Sequence, residues 1–119
     1  MKIAFSTSGD NLSAPLDIRF GRAPKFLVYD LGAGNFTVID NEQNLNAAQG
    51  AGIQSAETVA RSGAKALVSG HCGPNAFRVL RAAGVKIYTS AAATIAEALA
   101  QYKAGELKEA SGADVQGHW

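Results

Sequence analysis

Residues 69–77 read SGHCGPNAF and hold the chain's single cysteine, Cys72, beside His71, one of two histidines. Gly70 and Gly73 frame the pair, and Pro74 and Asn75 follow. A second stretch, DIRFGRAPK over 17–25, carries Arg19, Arg22 and Lys25, with Phe20 and Gly21 between the arginines. Ser6, Thr7 and Ser8 add hydroxyls near the N-terminus, and Thr89 adds one further on.

A thiol beside an imidazole could be a nucleophile with its base, two metal ligands, or part of an ordinary turn. His71 and Cys72 are chain neighbours, whereas a catalytic Cys–His pair normally meets from separate elements with a third orienting group. The absence of a second cysteine and of C-x-x-C argues against a closed tetrahedral zinc site. The Walker A motif and G-x-G-x-x-G are absent too. A paired-carboxylate site would need acids in the crevice; Asp10 and Asp17 are available, and nothing fixes their geometry. What remains is the donor set of an anion receptor: guanidinium and ammonium groups, hydroxyls, an imidazole, and glycines that let backbone approach a ligand. Phe20 and Ala91–Ala93 would give it an apolar wall, which suits a bulky, soft anion better than a heavily hydrated one. Simpler readings stand beside this one. Gly-Pro after a strand is common turn chemistry, a free cysteine is often a small buried hydrophobe, and loop arginines often pair with nearby aspartates.

Elements must bring these stretches together. MKIAF reads as a strand, and 6–24, with two prolines and two glycines, as a long functional loop. KFLVYD and FTVID around Gly32–Asn35 read as a hairpin. Asn41–Gly52 reads as loop. Ile53, Ala56, Val59 and Ala60 mark a helix face stopped by Gly63. Lys65–Ser69 is an apolar strand, and Pro74 suits the first turn of the helix that follows. Gly84 stops that helix, and Val85–Tyr88 is a strand. Thr94 and Glu97 form a capping box for a last helix ending at Gly105. This alternation predicts an α/β layer structure with a mostly parallel sheet. Ligands of such sheets sit beyond the carboxyl ends of the strands, here the loops after Phe5, Ser69 and Tyr88. The helix at Pro74 would aim its N–H groups and positive dipole end into the same crevice.

The 119 residues suffice for one domain, expected over 1–108 with a loose tail over 109–119 that holds His118 and Trp119. Charged residues make up 18% and the net charge is +1, too little field to argue for nucleic acid or an anionic membrane. No stretch approaches the roughly 20 apolar residues of a membrane span. One cysteine allows no internal disulfide. A monomeric cytoplasmic protein is expected.

MKIAFSTSG, RFGRAPKFLVYD, the run from GAGIQSAE through VSGHCGPNAFRVLRAAGVKIYTS, and TIAEALAQYKAGEL together resemble the dinitrogenase iron–molybdenum cofactor biosynthesis family. That family includes NifX-like carriers and the C-terminal region of NifB-like proteins. The likeness covers about residues 1–108, and FGRA with GHCGPNA at this separation is fairly specific. It implies a ribonuclease-H-like α/β fold, a five-stranded mixed sheet in the order 3-2-1-4-5 with flanking helices. It also implies binding, storage or delivery of a metal–sulfur cluster rather than catalysis. A free-standing chain of this size is similar to family members that hold a molybdenum–copper sulfide cluster without covalent cysteine ligation. The iron–molybdenum cofactor or a precursor is the alternative cargo. Many relatives have a histidine before FGR where this chain has Arg19, which favours an electrostatic grip over coordination there. The expected binding residues are Ser6, Thr7, Ser8, Arg19, Phe20, Gly21, Arg22, Lys25, Gly70, His71, Cys72, Gly73, Pro74, Asn75 and Thr89, with His71 and Cys72 as candidate metal contacts. Proteins that supply or receive the cluster are the expected partners. The competing readings are a small enzyme for a phosphorylated or other anionic substrate and a regulatory adaptor.

Overall fold

A central strand, β1 (Lys2–Thr7), sets the position of every other element in the computed structural model, which describes residues 1–41 and 51–110. It is followed by β2 (Lys25–Asp30), β3 (Phe36–Asp40), α1 (Ala51–Arg61), β4 (Ala66–Ser69), α2 (Pro74–Ala82), β5 (Lys86–Thr89), α3 (Ile95–Lys103) and β6 (Lys108–Glu109). The sheet order is β3-β2-β1-β4-β5-β6. The loop expected over 41–52 is shorter than that, because Ala51 and Gly52 already belong to α1, and the tail expected from 109 begins with a residue of β6. Residues 42–50 and 111–119, with His118 and Trp119, lie outside the described residues.

Two expectations need correction. The sheet has six strands, not five. Lys108 and Glu109 pair with Thr89 and Tyr88, and the Ala110 N–H donates to the Ile87 carbonyl at 2.7 Å. A two-residue, wholly charged strand carries no hydrophobic alternation by which a sequence could announce it. Nor is the sheet mostly parallel. β1–β4 and β4–β5 are parallel, while β1–β2, β2–β3 and β5–β6 are antiparallel. The hairpin and the returning β6 outweigh the two crossovers.

Alternation along the strands divides the core. Ala4, Phe26, Val28, Leu67 and Ile87 face α1 and α2, which contribute Ala56, Val59, Ala76 and Leu80. Ile3, Phe5, Leu27, Ala66 and Val68 face α3, through Ile95, Ala98 and Leu99. All these side chains are buried, and each apolar group removed from water favours the fold by about 25 cal/mol per Å². Gly34, Gly63, Gly84 and Gly105 have positive φ, the left-handed conformation expected of a glycine that ends a helix or turns a hairpin. Thr94 caps α3, its Oγ1 accepting from the Glu97 N–H at 3.2 Å. Glu97 accepts in return from Ala93, one residue earlier than the standard box.

Candidate functional site

Because β1, β4 and β5 are parallel, their carboxyl ends share one edge of the sheet. Lys25 joins them from the start of β2, paired with Thr7 and Asp40. Lys108 stands beside Thr89 as its cross-strand partner.

The long first loop is strapped down along most of its length. Thr7 bridges to Leu16, and Pro15 bridges to Thr94. The Leu16 N–H donates to the Ala93 carbonyl, and the Ile95 and Ala96 N–H groups donate to Ala14 and Leu12. Ser6 Oγ donates to the Asp17 carbonyl at 2.6 Å and lies 2.8 Å from Ser69 Oγ. Thr7 Oγ1 donates to the Pro15 carbonyl at 2.7 Å. Ser6, Thr7 and Ser69 are therefore buried groups that satisfy the loop's own carbonyls.

The two motifs meet through backbone. The His71 N–H donates to the Ile18 carbonyl at 2.7 Å, and the Phe20 N–H donates to the His71 carbonyl at 3.2 Å. Gly70 makes this contact sterically feasible. A Cβ there would lie 2.5–2.8 Å from the Ile18 Cβ, Cα and O. The glycine is needed so that one motif can lie against the other. Asn41 anchors the FGRAP turn from the α1 side: its buried side-chain amide donates to the Ala23 carbonyl at 2.8 Å and to Ser55 Oγ at 3.0 Å.

Beside this junction Ile18, Gly70, His71, Thr89, Ser90 and Ala91 line an open hollow of about 420 Å³. Three of the expected residues, Gly70, His71 and Thr89, thus come together. Arg19 runs past His71 as a β-bridge, with its side chain 52% exposed and its Nε 3.8 Å from Asp17 Oδ1. The Asp17 side chain is 14% exposed, and a surface ion pair at this separation contributes little to stability. Arg22 and Ser8 are exposed on the surface. Gly73 is the N-cap of α2, with no side-chain cap, and Pro74 and Asn75 form its first turn. Pro74 also lines a second hollow of about 420 Å³ with Phe77, Arg78 and Arg81, where the Arg81 guanidinium lies 5.5 Å from the Phe77 ring centre.

Three further expected residues are buried and do not line the hollow. Phe20 is wholly buried in the 3₁₀ turn Phe20–Arg22, with Gly21 also buried, and its ring is 5.3 Å from that of Phe26. Cys72 packs in the same cluster, with its Sγ 3.7 Å from the Gly73 carbonyl. The apolar wall comes instead from Ile18, half exposed, and Ala91. Sequence reasoning passed over Ile18, Asn41 and Ser69. An isoleucine between Asp17 and Arg19 is the signal it had for the first; the other two are polar residues in strand or loop settings that give no cue to burial. Among the described residues no group of three or more His, Cys, Asp or Glu is arranged to hold a metal ion.

The model of the dinitrogenase iron-molybdenum cofactor family matches residues 1–105. The chain belongs to that family. Among curated proteins, this family member is 30% identical over 112 residues to an uncharacterized protein of Methanocaldococcus jannaschii, covering 92% of this chain and 91% of the other. Among solved structures it is similar to the apo form of the orange protein from Desulfovibrio gigas, with a TM-score of 0.93, 35% identity and 96% of each chain covered. A NifB candidate from Thermotoga gives a TM-score of 0.80 at 34% identity, with 91% of each chain covered. Family and neighbours together point to a cluster-binding or cofactor-related protein. No helix among the described residues is long and apolar enough to cross a membrane.

Proposed function

We propose that this chain binds an anionic molybdenum-containing metal–sulfur cluster non-covalently and stores or delivers it. The carrying observation is the combination at the strand-end hollow. It offers hydroxyl, imidazole and apolar surface, yet no three-donor metal cage exists among the described residues. Such a wall suits the outer sulfides of a finished cluster better than a bare ion, which would need a full ligand set. Arg19, Arg22 and Lys25 would balance charge around the rim. Gly73, Pro74 and Asn75, at the start of α2, would turn a positive dipole end toward an anion. Molybdenum with copper is the preferred cargo, the iron–molybdenum cofactor or a precursor the alternative. The reading is of a monomeric cytoplasmic carrier with the ribonuclease-H-like architecture that the resemblance implies, exchanging cargo with partner proteins and catalysing no turnover.

Reconstitution with tetrathiomolybdate and copper tests it. The protein should elute from gel filtration with stoichiometric molybdenum and a visible absorption band. Replacing Arg19 and Arg22 together by Ala should weaken retention by more than about tenfold at low salt. Cys72→Ser should retain most of the band. Loss of all colour in Cys72→Ser with unchanged circular dichroism would overturn the non-covalent grip, and no molybdenum on the native protein would overturn the carrier itself.

A further inference from the structure

We infer that Ile18 makes the strand-end hollow selective for soft, weakly hydrated thioanions over hydrated oxyanions. This inference rests on the carrier reading above and names the residue that would choose its cargo. Three large apolar side chains are notably exposed among the described residues: Met1 at 54%, Ile18 at 50% and Phe36 at 36%. Met1 and Phe36 sit at the other end of the sheet, where β1 and β3 begin, since Phe36 pairs with Tyr29 and Tyr29 with Ile3. Ile18 is the one that faces the hollow.

Its exposure does not come from a loose loop. The Ile18 carbonyl accepts from the His71 N–H, its Cβ and Cα lie against Gly70, and Asp17 on one side is fixed by the Ser6 hydroxyl. The backbone therefore presents this side chain in a set direction. Its chain neighbours, Asp17 and Arg19, are charged. The Ile18 and Ala91 side chains bring no hydrogen-bonding capacity to the hollow, while His71, Thr89 and Ser90 are its polar members, Ser90 Oγ already bonded to Gln101.

Placing an anion against such a wall strips water from both surfaces. The wall gains from the loss of water. The anion loses hydration, and that cost is large where charge is concentrated on small, hard oxygens. It is smaller for a thiometallate, whose charge spreads over large polarisable sulfurs. The wall thus favours sulfide-rich anions and works against molybdate or phosphate of similar charge.

The experiment measures binding of tetrathiomolybdate and of molybdate separately, by equilibrium dialysis with molybdenum analysis, on the full chain. The native protein should prefer tetrathiomolybdate. Ile18→Ser should weaken tetrathiomolybdate by about tenfold, the effect of exposing roughly half of such a side chain, and leave molybdate unchanged. Ile18→Leu should restore the preference, and Phe36→Ser, an equal polar change at the far end, should leave both anions alone. Melting temperatures confirm that each variant is folded. Equal losses for both anions, or none for either, in Ile18→Ser would overturn the selector role while leaving the carrier reading in place. A native protein that binds neither anion would overturn both.

Discussion

The two ends of the sheet use glycine for different physical reasons. At the end where β1 and β4 begin, Gly34, Gly63 and Gly84 turn the chain with positive φ, and a Cβ on Gly63 or Gly84 would meet nothing within 4 Å. There the missing side chain supplies a dihedral angle. At the end where the parallel strands finish, φ is ordinary, but a Cβ on Gly9 would lie 2.4 Å from the Ala14 Cβ, and one on Gly70 would strike Ile18. There the missing side chain supplies room. One end holds glycines with open space around them; the other holds loops that touch through Gly9 and Gly70. A receptor that keeps its shape without ligand belongs at the second end.

The difference is sharpest at Gly70. Gly70→Ala drives a methyl group into Ile18, most of it backbone that cannot swing away, so it should destabilise the protein by about 2–3 kcal/mol and separate the two motifs. Urea unfolding gives the first effect, and loss of tetrathiomolybdate binding beyond what stability explains gives the second. A Gly70→Ala protein with native stability would remove the argument from packing. Ser6→Ala should come next, at about 1–2 kcal/mol, because it removes the 2.6 Å bond to the Asp17 carbonyl and the buried contact with the Ser69 hydroxyl. Its mark should be faster amide exchange at Asp17 and His71. Gly63→Ala should cost about 1 kcal/mol through its left-handed backbone and leave anion affinity as it was. An affinity loss there would mean the two ends are coupled.

The smallest effect lies in the hairpin. Asp30 Oδ1 accepts from the Gly32 and Ala33 N–H groups at 2.9 and 3.1 Å, and the Ala33 bond, then the Gly32 bond, hold its carboxyl below its ordinary 3.8. A lowered carboxyl pKa stabilises the fold above the unfolded value and ceases to do so as pH falls through the folded value. The Tm difference between the native protein and Asp30→Asn should therefore be constant above pH 3.8 and close below it. A difference that persists in acid would assign it to geometry rather than charge.

Much of the fold was legible because its signals are local. Gly63, Gly84 and Gly105 each follow a helix, Thr94 caps one, and KFLVYD with FTVID flank a turn. The strand-end crevice could also be located, since topology alone brings Gly70, His71 and Thr89 to one edge. The depth of each side chain could not be read. Phe20 and Ile18 are near neighbours in one polar loop, and only the 3₁₀ turn decides that Phe20 enters the core and Ile18 faces solvent. Ser6 and Thr7 looked like ligand hydroxyls because their actual partners, Asp17 and Pro15, are carbonyls with no side-chain signature. β6 was invisible for want of apolar residues.

The bridge from Pro15 to Thr94, together with the one from Arg19 to His71, also bears on timing. Both join the first loop to segments made much later in synthesis, and such non-local contacts form only after loop closure has been met. A nascent chain that has emerged only as far as β3 already carries FGRAPK, but not the segments it packs against. For the carrier proposed above, a cluster offered during translation would meet an unfinished wall, and loading would follow release of α3 from the ribosome.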